Sequence, residues 1–124
     1  MPIWLAIGRE VVATALAHGV TPRGFGEFRP MAFAPGVADV EGVAVVNWLR
    51  DFTAVGAKTH SGIWRDLAVR KRKTEADAQI GLIPGLAAEK GVPVPMIEKL
   101  CALIADLETG RRAQSAETFE ALRA

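Results

Sequence analysis

Apolar residues recur every three or four positions along most of this chain, and this spacing places side chains on one face of an α-helix. One stripe predicts a first helix that starts at Pro2, a tolerated first-turn residue, and ends near His18. Its members are Ile3, Ile7, Val11 and Ala15. No run of alternating apolar and polar residues is long enough to predict a strand. The periodicity therefore predicts an all-α fold.

The remaining helices are predicted from the same spacing and from their boundary residues. They cover residues 38–54, 61–71 and 75–90, a stretch from Pro95 to just before Gly110, and a short segment for which Ser115 is the N-cap. The stripe that follows Pro95 consists of Ile97, Leu100, Ile104 and Leu107. Together these helices predict a helical bundle.

Glycine and proline set the limits of the predicted helices. Residues 19–36 hold four glycines and three prolines, so they are not expected to form one regular element, although Phe25, Phe28 and Phe33 would pin this loop to the body. Pro84 lies within the predicted helix 75–90 and should kink it, because the proline ring clashes with the carbonyl four residues earlier. Gly91 is the expected left-handed cap of that helix.

Length and composition are those of one globular domain. The chain has 124 residues, of which 50% are hydrophobic and 23% are charged. No apolar run approaches the roughly 18 residues of a membrane span, and the charges of Arg9 and Glu10 come too early for a signal peptide. The single cysteine, Cys101, is predicted to pack in the core, and its solitary occurrence suits a reducing cytoplasm. The expectation is a cytoplasmic protein without a membrane partner.

Positive charge is concentrated in one part of the chain. From residue 58 to 75 there are six basic residues and two acidic ones, whereas the remainder has nine basic and twelve acidic residues. The basic residues are Lys58, Arg65, Arg70, Lys71, Arg72 and Lys73. A local positive patch indicates a site or a partner more than a protein that coats a polyanion, but basic residues at a helix end are also an ordinary solvated face.

Several classes of catalytic site lack support in the sequence. His18 and His60 lie far apart without a second histidine or cysteine at ligand spacing, so no metal site is expected. Ser61, His60 and Asp66 make a weak candidate triad, because adjacent residues on a helix point in different directions. Neither glycine-rich phosphate-binding loop motif occurs in the chain.

The segment Thr74-Glu-Ala-Asp77 has the pattern of a capping-box variant. In that interpretation the Thr74 hydroxyl accepts a free backbone N–H, and the Asp77 carboxylate reaches back to the start of the helix. Glu75 is left without a role in this arrangement. Its carboxylate either adds to the cap, where the helix dipole favours it, or faces a cleft and binds a ligand.

An ordered set of motifs from Ser61 to Gly110 resembles the C-terminal domain of the ketopantoate reductase (2-dehydropantoate 2-reductase) family. That family has Ser-Ser-Met-x-x-Asp, a basic stretch, Thr-Glu-x-Asp-x-x-x-Gly, and then Gly-[Val/Ile]-x-x-Pro before its last long helix. The corresponding segments here are Ser61-Gly-Ile-Trp-Arg-Asp66, Lys71-Arg-Lys73, Thr74-Glu-Ala-Asp-Ala-Gln-Ile-Gly81 and Gly91-Val-Pro-Val-Pro95.

The resemblance implies an all-α domain like those of ketopantoate reductase and 6-phosphogluconate dehydrogenase-like proteins, spanning residues 1–124. It implies part of an NADPH-dependent oxidoreductase that converts ketopantoate to pantoate in pantothenate biosynthesis, or reduces a related 2-keto acid. In that family an N-terminal Rossmann domain binds NADP, and the helical domain closes a cleft over the keto acid. A homo-oligomer is a further expectation, because such a domain on its own should expose an apolar face.

Residue roles are carried over from the family motifs position by position. Glu75 matches the glutamate that hydrogen-bonds the substrate hydroxyl, and it is the implied catalytic residue. Ser61, Gly62, Asp66 and Glu75 are the implied substrate-binding positions, and Asp66 matches the aspartate that supports the site. Gly62 stands where the family has the second serine, which contacts the substrate carboxylate.

The sequence departs from the family pattern in several places. One extra residue separates Asp66 from Glu75, and Ile80 and Ile97 replace two family asparagines. The family's general acid is a lysine on an earlier helix that also bears asparagines, but the first lysine here is Lys58 and the one asparagine is Asn47. The expectation is therefore a C-terminal fragment that is inactive as a reductase on its own.

A different class of function stays open from the residues. A stand-alone helical module could bind an acidic protein or a nucleic acid through the basic strip 65–73. Nucleic acid is the less expected partner, since basic residues in a last helical turn complement the helix dipole without any ligand.

Overall fold

The computed structural model describes residues 2–56 and 60–123 and shows an all-α chain, as the periodicity predicts. Its helices are α1 (Ile3–Ala17), α2 (Asp39–Ala54), α3 (Gly62–Arg65), α4 (Ile83–Glu89), α5 (Pro95–Glu108) and α6 (Ala116–Glu120). Short 3-10 turns lie at Pro30–Phe33, Ala76–Ala78, Ile80–Leu82 and Ala121–Arg123. A π-helical turn, Asp66–Arg70, continues α3. Within residues 2–56 and 60–123, no helix is long and apolar enough to cross a membrane.

Helix α1 is the centre of the molecule, because it packs against both hydrophobic clusters. Leu5 and Val12 belong to a first cluster with Phe33 of the loop and Val45 of α2. Ile7 and Val11 pack instead against a second cluster, formed by Ala87, Val94 and Ile97. The single stripe predicted for α1 therefore does not account for both clusters that this helix contacts, as expected for a helix with apolar residues on more than one side.

Two glycines allow α1, α2 and the loop to approach closely in the first cluster. A Cβ at Gly8 would lie 2.6 Å from Cδ1 of Phe33, and a Cβ at Gly42 would lie 2.6 Å from Cδ1 of Leu5. The space that Gly42 leaves on α2 is thus filled by Leu5 and Phe33. Phe33, which is 5% exposed, confirms that the loop is pinned to the body.

The rest of the loop packs through aromatic rings. Phe25 stacks on Phe28 with ring centroids 5.4 Å apart, and it also contacts Trp48 and Phe52 of α2. Trp48 and Phe52 are themselves stacked at 4.9 Å. Phe25 and Phe52 nevertheless remain about half exposed, so these rings form an apolar surface as well as an anchor.

The second cluster fixes α5 against α1 and α4. Ile97 is fully buried, whereas Cys101, predicted to lie in the core, is partly buried and packs against the edge of this cluster. Burial raises the pKa of the Cys101 thiol, as do the negative charges of Asp77 and Glu98. The start of α5 is capped from α1, since the Glu10 carboxylate accepts the backbone N–H groups of Met96 and Ile97, both at 2.8 Å.

Residues 75–90 differ from the single kinked helix that the sequence predicts. They form two 3-10 turns followed by α4, which begins only at Ile83, so Pro84 occupies the first turn of a helix and does not kink a longer one. Proline is favoured at that position because its missing N–H needs no partner there. Gly91 has a φ of 66° and ends the helix as predicted.

Candidate functional site

Ser61 and Gly62 start helix α3 at the surface. The Ser61 Oγ accepts the backbone N–H of Trp64 at 3.1 Å, so this serine is the N-cap of the helix. Both residues are exposed and border an open depression of about 600 Å³ next to Phe52 and Val55. The indole of Trp64 stacks on the His60 ring with centroids 3.7 Å apart, which holds the beginning of α3 in place.

Gly62 is surrounded by open space. A Cβ built on it has no neighbour within 4 Å, and its φ is not in the left-handed region. A serine, the residue that the motif resemblance implies at this position, would therefore fit on the backbone as it stands. The absence of the hydroxyl is a change in surface chemistry and not a steric requirement of the fold.

Asp66 lies four residues beyond Gly62 and is 5% exposed. Its Oδ1 accepts hydrogen bonds from Nη1 of Arg70 at 3.0 Å and from Nε of Arg72 at 2.8 Å. These bonds, with the Arg70 bond the larger influence, hold the pKa of the Asp66 carboxyl below its ordinary value against the opposing effect of burial. The aspartate thus joins the π-helical turn to the segment that follows it.

The turn after Asp66 contains a left-handed residue, Lys71, with a φ of 51°. This conformation ends the π-helical turn and brings Arg72 back toward Asp66. Residues other than glycine rarely adopt it, since the Cβ crowds the backbone. The left-handed turn at Lys71 lies between Asp66 and Glu75, the two residues whose separation is one residue longer than in the family motif.

Glu75 is exposed and precedes the 3-10 turn Ala76–Ala78. Its Oε2 accepts a hydrogen bond from the Gln79 side-chain amide at 3.1 Å. Its other oxygen, Oε1, accepts no hydrogen bond within residues 2–56 and 60–123. Glu75 therefore has one carboxylate oxygen that faces solvent and is available to a ligand.

Thr74 is buried and bonded differently from the predicted capping box. Its Oγ1 accepts the backbone N–H of Ala76 at 3.1 Å, as the pattern predicts. However, its own N–H and hydroxyl both donate to Oε1 of Glu108 on α5, and the Asp77 carboxylate pairs with Lys73 at 2.8 Å. The reach-back predicted for Asp77 is wrong, because a carboxylate from another helix already satisfies the Thr74 N–H.

The predicted site residues each bond to a different partner. Ser61 bonds to Trp64, Asp66 to two arginines and Glu75 to Gln79, so hydrogen bonding alone does not join them into one network. Ile97, which replaces a family asparagine in the motif resemblance, is fully buried in the second cluster. Its side chain is therefore not exposed at the surface. What Ser61, Gly62 and Glu75 share is exposure.

The partners of Asp66 and Thr74 are the residues that the sequence interpretation missed. Arg70 stands four residues after Asp66, a spacing typical of helical ion pairs, so this contact had a local signal. Glu108 stands 34 residues after Thr74 and had none. The basic strip is consequently less free than its composition indicates, since Arg70 and Arg72 bind Asp66 and Lys73 binds Asp77. Lys58, part of the same basic cluster, lies outside the described residues.

Comparison with known proteins identifies the family. The family model described as "Ketopantoate reductase PanE/ApbA C terminal" matches residues 1–108. No curated protein and no solved structure matched the chain. Over the described ranges, no group of three or more histidine, cysteine, aspartate or glutamate side chains could hold a metal ion. The family match includes Ser61, Asp66 and Glu75, and with the all-α fold it shows that the chain belongs to the ketopantoate reductase family, as its C-terminal domain.

Proposed function

We propose that this chain is the substrate-binding domain of an NADPH-dependent reductase that acts on ketopantoate or a closely related 2-keto acid. The observation that carries the proposal is the family match over residues 1–108. Glu75 lies within this range and is exposed, and the motif resemblance implies a substrate-binding role for it. The proposal extends to the whole chain, residues 1–124, as one helical domain that works with a Rossmann domain.

Hydride transfer needs a held nicotinamide, an oriented carbonyl group and a source of protons. The described residues form helices, turns and one isolated bridge between Phe25 and Phe28, so they do not provide the strand–loop–helix unit that cradles a dinucleotide. In the proposal the Rossmann domain holds the cofactor, which supplies the hydride when bound. This chain orients the keto acid and has no reductase activity alone.

Glu75 is proposed to bind the substrate directly. Its Oε1 is free to accept the hydroxyl hydrogen of a keto acid, while the Gln79 amide fixes Oε2 and limits rotation of the carboxylate. A hydrogen bond to a charged group contributes about 1.5–3 kcal/mol, which is enough to orient a small substrate. The Ser61 hydroxyl can also donate a hydrogen bond to the substrate. Its Oγ accepts the Trp64 N–H through a lone pair, so the hydroxyl hydrogen is still available.

Asp66 is proposed to act as a positioning residue. Its buried carboxylate binds Arg70 and Arg72, which fixes the turn between α3 and the segment that carries Glu75. The substrate contact therefore depends on Asp66 through the backbone and not through a bond from Asp66 to the keto acid.

The proposal also includes a homo-oligomer in the cytoplasm. An apolar groove of about 440 Å³ runs between α1, α3, α5 and α6, with Trp4, Ile63, Leu103 and Phe119 among its walls. Surfaces of this kind are commonly covered in assembled proteins. Light scattering on the purified chain measures the oligomeric state, and a monomer at all concentrations would contradict this part.

The test uses the chain joined to the dinucleotide-binding domain that the proposal requires. NADPH oxidation is measured with ketopantoate and a panel of 2-keto acids. We expect Glu75→Gln to lower kcat/KM about 10- to 100-fold, because the amide keeps the shape but loses the charge. Glu117→Gln, an exposed carboxylate on α6 beyond the family match, is the matched control.

Two results would overturn the proposal. One is an active joined protein whose kcat/KM is the same with Glu75→Gln, with Glu117→Gln and without any substitution. The other is NADPH-dependent reduction of a 2-keto acid by the isolated chain, since that would require a cofactor site within the helical domain.

A further inference from the structure

A third pocket lies between the π-helical turn and the end of α5. It shares Leu67 and Leu107 with the apolar groove, and it shares no wall with the depression that Ser61 and Gly62 border. It has a volume of about 450 Å³. Lys71, Arg72 and Arg112 bring positive charge to its walls, and Leu67, Ala68 and Leu107 provide an apolar surface. The reductase proposal assigns no role to this pocket.

The charges around the pocket do not balance. Asp66 is shared by Arg70 and Arg72, and Asp106 is shared by Arg111 and Arg112. Each carboxylate neutralises only one of its two guanidinium groups.

The remaining charged groups at the pocket are Lys71 and Glu108. Lys71 has no ion-pair partner within residues 2–56 and 60–123, and Glu108 accepts two hydrogen bonds from Thr74. Five cations against three carboxylates leave an excess of two positive charges around the pocket.

The cations of the pocket are accessible to a ligand. The side chains of Arg72 and Arg112 are 61% and 46% exposed although both are ion-paired, and Lys71 is exposed. The carboxylates hold these guanidinium groups in place, so part of the entropy cost of ordering them is met before a ligand arrives. The left-handed conformation of Lys71 is a local strain of the kind that clusters at ligand sites.

We propose that this pocket binds a small phosphate monoester. The phosphate group, with a charge of about −1.5 to −2 at neutral pH, matches the excess positive charge, and guanidinium groups bind its oxygens with directed hydrogen bonds. The organic part of the ligand would contact Leu67, Ala68 and Leu107. Glu108 would disfavour a second negative group deeper in the pocket, which selects a monoester over a longer polyanion.

The site is independent of the reductase proposal, because ligand binding here needs neither a cofactor domain nor Glu75. It also differs from the nucleic-acid alternative, since most cations of the strip 65–73 are paired within the chain, and Lys71, Arg72 and Arg112 line one pocket. Failure of either proposal therefore leaves the other intact.

The experiment titrates the full chain with inorganic phosphate and with glycerol 3-phosphate and follows backbone amide signals by NMR at constant ionic strength. Sodium acetate is the monoanion control. We expect saturable shifts at Lys71, Arg72 and Arg112 with both phosphate compounds, and at least tenfold weaker binding of acetate, since it brings half the charge.

Lys71→Gly is the decisive variant, because glycine adopts the left-handed turn without strain and the fold should persist. It should weaken phosphate binding about tenfold, the effect of losing one charged contact. Lys90→Ala, an exposed lysine at the end of α4, should leave binding unchanged. The proposal is overturned by the absence of saturable shifts, by equal binding of acetate, or by equal affinity of Lys71→Gly and the unmodified chain.

Discussion

Asp66 and Arg72 stand six residues apart and are joined by a 2.8 Å hydrogen bond between Oδ1 and Nε. The left-handed turn at Lys71 makes this contact possible by reversing the chain between them. A nearly buried carboxylate thereby closes the turn that leads from α3 to the candidate substrate-binding Glu75. The geometry of the site depends on this pair more than on any contact between the site residues themselves.

Replacement of Asp66 by asparagine is expected to destabilise the domain. The amide oxygen can still accept hydrogen bonds from the two arginines, but it carries no negative charge and leaves their positive charges uncompensated. We expect an increase in the unfolding equilibrium constant of about tenfold, measured by urea denaturation monitored through tryptophan fluorescence. Asp51→Asn, which breaks an exposed pair with Arg50, should have little effect. Equal effects of the two variants would contradict the prediction.

The lowered pKa of Asp66 predicts a loss of stability in acid. Because its folded pKa lies below the unfolded value of about 3.9, the carboxylate contributes stability that is fully present above about pH 5. That contribution is lost as the pH falls through the folded pKa. Urea midpoints measured from pH 6 down to pH 2 should show a smaller decrease in Asp66→Asn than in the unmodified chain. Parallel curves for the two proteins would refute this assignment.

Glu10 is expected to stabilise α5 from a distance. Its carboxylate accepts two backbone N–H groups at the start of that helix, the role that an N-cap side chain usually performs, and Val94 has no side-chain oxygen to do so. Glu10→Ala should lower the free energy of unfolding by about 1 kcal/mol, measured by urea denaturation. Glu98→Ala, an exposed glutamate on α5 itself, should change it by less than about 0.5 kcal/mol. A larger loss in Glu98→Ala would exclude the capping role.

Gly62→Ser is expected to restore a substrate contact without disturbing the fold. The open space around Gly62 admits the side chain, so stability should change by less than about 0.5 kcal/mol. In the joined two-domain protein the new hydroxyl should lower KM for ketopantoate several-fold, up to about tenfold, through a hydrogen bond to its carboxylate. Gly85→Ser adds the same group at an equally open glycine on α4 and should leave KM unchanged. An unaltered KM in Gly62→Ser would show that this position does not reach the substrate.

The sequence by itself determined the helical class, most helix ends and the family. Apolar spacing predicted α1, α2 and α5 to within a residue or two, and glycine or proline marked their limits because those residues act on the backbone locally. The ordered motifs around Asp66 and Glu75 indicated the family that the comparison then showed. The roles of Ser61, Gly62 and Glu75 at a substrate remain predictions.

Only the tertiary structure decided how these elements are held together. The bonds of Glu10 to α5 and of Thr74 to Glu108 join residues 86 or 87 and 34 positions apart, and no local pattern encodes them. Residues 75–90 were predicted as one helix. In the structure Glu108 of α5 accepts the Thr74 N–H, and α4 begins only at Ile83, with Pro84 in its first turn. Periodicity and capping signals act over about four residues, whereas these contacts depend on which helix faces which after packing.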